Sequence, residues 1–519
     1  MQRVAVGLGP VSEADVVAVA RHGAGVTLTE ESVKTVAATR GVIDGLANDV
    51  EPHYGISTGF GALATKHIPV DQRVLLQRSL VRSHAAGSGP EVEREVVRAL
   101  MLLRLSTLAT GRTGVRVETA QTLAALLDRG ITPVVHEYGS LGCSGDLAPL
   151  SHVALALMGE GVARDVEGNL APSGDLLARH GIVPITLHEK EGLALINGTD
   201  GMLGQLVLAC ADLDLLLRTA DIAAAMSVEA MLGTAAVFAD DLQRLRPQPG
   251  QAVSAANLRA LLASSPIVES HAGPDCVYVQ DAYSMRCAPQ VAGAARDTLG
   301  YARTIAGHEL SSTVDNPVLV GSLDDLAGLR VESNGNFHGA PVAYVLDFLA
   351  IPAADVASMS ERRTDRMLDV ARSRGLPPFL ADDPGVDSGH MIAQYTQAAL
   401  VSEMKRLAVP ASVDSIPSSA MQEDHVSMGW SAARKLRRSI DAMGRVLAVE
   451  ILTAARALDL RAPLQPGPAT GAVVAALRES VGGPSHDRFL APEIEAAVEL
   501  VRTGAAVAAA DSALPAPLR

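Results

Sequence analysis

The chain is 519 residues long, 48% hydrophobic and only 3% aromatic, so it can bury a large core packed through small aliphatic side chains, a composition that favours helices. Its formal charge of −15 is spread along the chain without a basic stripe, which argues against nucleic acid or an anionic membrane as partner. Cys143, Cys210, Cys276 and Cys287 form neither a CxxC pair nor a zinc spacing, and the N-terminus is not signal-like, so a reduced, cytoplasmic enzyme is expected.

Residues 54–61 read YGISTGFG, a glycine-rich loop, and 82–87 read RSHAAG, where the lone His84 taken by itself is a solvated or capping residue. Residues 139–152 read GSLGCSGDLAPLSH. There Ser144 sits between a residue that need supply only a carbonyl carbon and a glycine whose amide nitrogen is sterically free. Attack of the Gly145 nitrogen on the Cys143 carbonyl closes a five-membered ring, and loss of two waters, one taking the Ser144 hydroxyl, leaves a methylidene on an imidazolone. No unmodified side chain supplies such an electrophile. The bland alternative for these residues is a turn leading into a helix.

From about residue 200 helical periodicity dominates. Leu206, Cys210, Leu213, Leu217, Ala220 and Ala224 form one stripe; Pro289, at a first turn, precedes a second through Val291, Ala295, Thr298, Ala302 and Ile305. Leu436, Ile440, Met443, Leu447, Ile451, Ala454 and Leu458 form a third. The apolar run 203–217 carries Asp212 and Asp214, too interrupted for a membrane span. Breaks at 246–250, 376–388 and 463–468 are too short for flexible linkers. The expected division is a glycine-richer N-terminal domain, 1–200, carrying the electrophile loop, and a long-helix bundle, 201–519, with a C-terminal helical extension. Polar motifs at 197–200 (NGTD), 280–286 (QDAYSMR), 334–339 (NGNFHG), 388–391 (SGHM) and 422–429 (QEDHVSMG) are far apart, so folding, and neighbouring subunits with it, must assemble any site.

The 139–152 stretch closely resembles the prosthetic-group loop of the aromatic amino-acid ammonia-lyases, which build a 4-methylidene-imidazol-5-one (MIO) from an internal Ala-Ser-Gly; here Cys143, Ser144 and Gly145 would form it, with Cys143 in place of alanine. The resemblance runs over about residues 40–460 and carries roles with it. The 54–61 segment resembles the family's Tyr-Gly-x-Asn-Thr-Gly-Phe-Gly, with Ser57 for Asn, which implies that Tyr54 removes the substrate β-proton. Phenols ordinarily ionise near pH ~10, so that role needs positive potential such as helix N-termini supply. In the family a Ser-His pair accompanies histidine as substrate, His-Leu tyrosine and Phe-Leu phenylalanine, so Ser83 and His84 imply an imidazole. By the same resemblance Arg286 binds the carboxylate with its planar fork, Asn197 serves the carboxylate and the electrophile's oxygen, and Gln280 and Tyr283 position the prosthetic group and relay protons. Phe337 and Met391 line the pocket, and Glu423 accepts from the imidazole N–H. Asp200 replaces a common Gln, and Met404 and Met421 stand where many histidine-acting members have Asn.

The implied fold is mainly α, a long-helix bundle of the fumarase/aspartase-like architecture with a smaller, loop-rich, mostly helical N-terminal domain. The implied activity is non-oxidative deamination of L-histidine to trans-urocanate and ammonia, opening histidine catabolism, in a homotetramer with shared active sites and no external cofactor. No metal is expected, because His53, His84, His136, His152, His338 and His425 form no short ligand pair. A tyrosine or phenylalanine lyase or aminomutase on the same group is the nearest rival. A fumarase–aspartase lyase would need a Gly-Ser-Ser-x-x-Met-Pro-x-Lys-x-Asn loop, which the sequence lacks, and a dead scaffold would not keep Tyr54, Ser144, Asn197, Arg286 and Glu423 together. Whether the substrate amine or its imidazole ring meets the electrophile stays open.

Overall fold

The long apolar stripes fold as long helices. The computed structural model describes residues 3–49, 51–273, 276 and 279–519, and its longest elements are the helices Asp200–Ala230, Ala288–Leu310, Ala340–Leu368 and Gly429–Asp459. All six residues of the first predicted stripe and all seven of the third are buried. In the second, Ala295 and Ala302 are buried as expected, but burial falls on Ala292, Leu299 and Ala306 in place of Val291, Thr298 and Ile305, which are only half-buried. Pro289 does occupy the first turn, where its missing N–H has no intrahelical acceptor to lose. Ala340–Leu368 is apolar and long enough to cross a membrane, but its apolar window is 61% buried within the protein, as a core helix is.

The chain divides into two compact units, and neither is contiguous. The first gathers Met1–Leu208, Arg303–Asp347 and Pro410–Arg434; the second gathers Ala209–Ala302, Phe348–Val409 and Lys435–Arg519. A boundary was expected near residue 200; the chain first changes unit inside the Asp200–Ala230 helix, and two later segments return to the first unit.

In the first unit, strand Arg3–Val6 pairs in parallel with Gly25–Leu28 across helix Glu13–Arg21, whose start is fixed by a capping box between Ser12 and Asp15. Helix Arg94–Ala109 lies at its centre, buried at every position from Val96 to Ala109, including Arg98 and Arg104. Helix Leu147–Leu157 starts three residues after Ser144, and the short helix Glu191–Ile196 ends at Asn197. In the second unit, Arg363 pairs with Glu450 (Nη2 to Oε2, 2.9 Å), which also accepts from Ser227 Oγ at 2.6 Å, a buried polar cluster with its hydrogen bonds made. Helices Pro468–Arg478, Ala491–Arg502 and Ala505–Ser512 form the C-terminal part of this unit.

Candidate active site

The electrophile loop is clamped from several sides. Gly145 bridges Gly198 in parallel, and the Asp146 N–H donates to the Gly198 carbonyl at 2.7 Å. Gly145 has φ 72°, and a Cβ there would overlap that carbonyl, so only glycine fits. The Gly142 carbonyl accepts from Ser427 Oγ at 2.8 Å and from the Gly339 N–H at 3.2 Å, while Leu141 accepts from the Met428 N–H at 2.8 Å. The fully buried Asp146 carboxyl accepts from Ser140 Oγ and from the Met202 N–H, both at 2.8 Å. Burial pushes its pKa up to about 7 in spite of those bonds.

Beside this loop the first unit encloses a cavity of about 970 Å³. Tyr54, His84, Cys143, Ser144, Asn197, Phe337 and Glu423, seven of the predicted site residues, line it together with Phe60. Ser144 Oγ donates to Glu423 Oε1 at 3.0 Å, and Cys143 Sγ lies 3.3 Å from Oε2. Burial, and then the Glu423 carboxylate, push the Cys143 thiol up to about 12, so it stays protonated and donates. Thus Glu423, expected to meet the substrate ring, also touches the electrophile-forming tripeptide directly.

His84 closes helix Arg73–His84, with Nδ1 2.9 Å from the Leu80 carbonyl. A carbonyl only accepts, so Nδ1 carries the proton and the neutral ring keeps Nε2 as an acceptor. Burial lowers the His84 pKa, opposed by the Leu80 bond and by Glu423. The hydroxyl oxygen of Tyr54 accepts from the Gly61 N–H at 3.3 Å, and Ser57, in place of the familiar asparagine, accepts from the His53 N–H at 2.9 Å and so ties the loop. Asn197 is buried; its carbonyl accepts from Arg104 Nη1 at 2.7 Å, whereas its side-chain Oδ1 has no hydrogen-bond partner among the described residues.

Gln280, Tyr283, Arg286 and Met391 belong to the second unit and are not among the residues lining this cavity. Tyr283 is 69% exposed, with the Arg286 guanidinium carbon 4.9 Å from its ring centre, and the buried Arg286 Nε has no hydrogen-bond partner among the described residues. Met391 starts helix Met391–Leu407 and lines a cavity of the second unit with Phe379 and Tyr395. Among the described residues, the one group able to gather three metal-ligating atoms is Asp382, Asp387 and His486, in the second unit.

Three residues that sequence reasoning passed over belong to the site's framework. Asp146 follows the tripeptide directly, and an acidic residue before a helix could have drawn notice as a cap; here its side chain makes no cap bond and braces the loop instead. Arg104 interrupts the apolar run 99–105, the one signal it left. Ser418 left none.

A family model described as aromatic amino acid lyase matches residues 11–479. The histidine ammonia-lyase of Streptomyces avermitilis is 65% identical over 513 residues, covering 99% of each chain. Among solved structures, tyrosine aminomutase from Streptomyces globisporus aligns with a TM-score of 0.93 at 38% identity over 100% of both chains. Histidine ammonia-lyase from Trypanosoma cruzi aligns at 0.90 and 37% identity, over 99% of this chain and 96% of that one.

Proposed function

Because the chain belongs to the aromatic amino acid lyase family, we propose that it eliminates ammonia from L-histidine to give trans-urocanate. The observation that carries this reading is one cavity wall holding Ser144, Glu423 and His84: a serine placed to become an electrophile, beside two acceptors suited to an imidazole N–H. Relatives of both histidine and tyrosine chemistry share the fold, so the choice of substrate rests on those side chains and on the 65% identity to the Streptomyces avermitilis enzyme.

The residues present fit an internally formed MIO. Gly145 sits where no Cβ fits; Ser144 faces the cavity; and Asn197 lines the same cavity with an amide whose N–H can donate to the group's oxygen. Once formed from Cys143, Ser144 and Gly145, the group supplies an electrophile that converts the substrate's nitrogen into a better leaving group. The protein's own side chains do the rest. Tyr54, its oxygen held by the Gly61 N–H, takes the β-proton. Glu423 and His84 face the ring, whose single N–H goes to one of these two acceptors, Phe337 walls it, and the Asn197 amide N–H donates to the substrate carboxylate or to the prosthetic group's oxygen. The β-proton is weakly acidic, so placement and fixed dipoles must supply most of the rate.

Arg286, with an unpartnered Nε, is the carboxylate ligand; Gln280 and Tyr283 position and relay. These three and Met391 reach the cavity from neighbouring copies in a homotetramer with shared active sites, which accounts for an exposed tyrosine and for an arginine whose buried Nε makes no hydrogen bond among the described residues of the second unit. An active monomer in solution scattering at assay concentration would contradict this arrangement.

The deciding experiment pairs chemistry with mass. Purified protein should turn L-histidine into urocanate, with at most trace cinnamate from L-phenylalanine or coumarate and β-tyrosine from L-tyrosine. Its intact mass should be lighter than the translated sequence by two waters, a loss that Ser144→Ala abolishes along with activity while leaving the fold. An active preparation with unmodified mass sinks the electrophile; comparable turnover of tyrosine or phenylalanine sinks the substrate.

A further inference from the structure

Glu423 can select a ring only if its carboxylate is held still and one oxygen is left open. Both conditions depend on Ser418, which has no assigned role, and on the side chain of Cys143, which the ring closure does not use. Ser418 Oγ donates to Glu423 Oε2 at 2.6 Å, a short, charge-assisted bond. Cys143 Sγ donates to the same oxygen at 3.3 Å. The other oxygen, Oε1, has Ser144 Oγ as its side-chain donor at 3.0 Å. The backbone sets this pairing: the Ser418 N–H donates to the Glu423 carbonyl at 2.9 Å and the Glu423 N–H returns to Ser418 at 3.3 Å. Between them Ser419, Ala420 and Met421 run through the left-handed region, with φ of 51°, 52° and 70°. Residues with a Cβ rarely adopt that conformation, and three in succession are held only where surrounding structure imposes them.

We propose that Ser418 and Cys143 are positioning residues that grip Glu423 by Oε2, so that Oε1 becomes the open acceptor for the substrate ring once Ser144 has lost its hydroxyl. The inference rests on the substrate reading above. In the unconverted chain Oε1 is occupied by the Ser144 hydroxyl; conversion of the tripeptide removes that donor but consumes neither the Ser418 hydroxyl nor the Cys143 thiol. Maturation of the electrophile therefore opens the ring-binding acceptor in the same event. A ring N–H restores the lost bond, whereas a benzene ring leaves Oε1 desolvated and unpaired, a penalty able to reject an analogue by about 10⁴. Cys143, which stands where the family's alanine has only a methyl group, adds a second, weaker donor to the grip.

The test compares Ser418→Ala, Ser418→Thr and Cys143→Ala with wild type. It uses intact mass, inhibition by urocanate and by cinnamate, and kcat and KM for L-histidine. Ser418→Ala should keep the loss of two waters and weaken urocanate inhibition about ten- to a hundredfold, the worth of a hydrogen bond to a charged group, while cinnamate inhibition stays within about twofold. Ser418→Thr, which keeps the hydroxyl, should restore urocanate binding. Cys143→Ala should move it a few-fold in the same direction, and remains informative if Ser418→Ala does not fold. Unchanged urocanate inhibition in both alanine variants, or equal weakening of urocanate and cinnamate, overturns the inference, the latter because it marks general damage to the loop. A wild-type protein that makes no urocanate overturns the substrate reading instead, so the two failures are told apart.

Discussion

Arg104→Met should both destabilise the protein and disable Asn197. The Arg104 side chain is wholly buried in a helix with no exposed face. Nη1 donates to the Asn197 carbonyl at 2.7 Å and the Ala194 carbonyl at 3.2 Å, Nη2 donates to Val314 at 2.8 Å, and Nε lies 3.4 Å from Asp200 Oδ2. Removing one partner of a buried ion pair costs about 3–5 kcal/mol, and each abandoned carbonyl a further ~1 kcal/mol or more, though the terms share one side chain and do not add fully. Burial already raises the Asp200 pKa and Arg104 opposes the rise. Without the arginine Asp200 takes up a proton, which limits the total to the lower part of that range. The second effect is geometric. Asn197 ends its helix and is anchored there by Arg104, so its amide should drift, and a misplacement of ~1 Å can cost about a hundredfold in rate. The assay is urea unfolding beside steady-state kinetics, with Arg104→Lys as control. Lysine restores a charge near Asp200 but cannot reach three carbonyls with a planar fork, so stability should recover more than kcat. An Arg104→Met enzyme with wild-type unfolding midpoint and wild-type kcat would refute the reasoning.

Glu423→Ala should lower turnover of L-histidine on the order of a hundredfold while the near-ultraviolet absorbance of the prosthetic group survives; loss of that absorbance would mean that Glu423 serves formation of the electrophile. Gly145→Ala should retain both waters in intact mass and melt earlier, since a left-handed alanine costs about 1–2 kcal/mol before its overlap with Gly198 is counted. Burial lowers the pKa of His390, hydrogen-bonded through Nδ1 to Thr453 Oγ1 at 3.1 Å, to about 3. An unfolded histidine takes its proton near pH ~6.5, so this residue's contribution is whole above that pH and declines between there and the folded value, by up to about 1.4 kcal/mol per pH unit. His390→Gln should therefore show a smaller fall in unfolding midpoint between pH 7 and pH 5 than wild type, and an equal fall would dismiss His390 as the source.

What could be read from the residues alone depended on how local the physics was. Ring closure at Cys143, Ser144 and Gly145 needs only three adjacent residues, and burial of the Leu206 and Leu436 stripes follows from period alone. In the stripe after Pro289, Ala295 and Ala302 held while three positions moved by one, because Val291 and Ala292, like Ile305 and Ala306, make two neighbouring faces almost equally apolar, and only packing decides between them. The contact of Ser144 with Glu423 joins residues 279 positions apart, through a turn of three left-handed residues that no propensity favours. Arg104 was hidden for a different reason. Helical periodicity assigns a charge to a solvent face, but a helix buried all round has none, and its arginines must spend their donors inside. Arg98 does so on the Val19 and Leu127 carbonyls, as Arg104 does on Ala194, Asn197 and Val314. An arginine set within an otherwise apolar helical stretch is therefore a sign of backbone anchored elsewhere in the chain, and in this protein one of the anchored peptides carries the amide proposed for the active site.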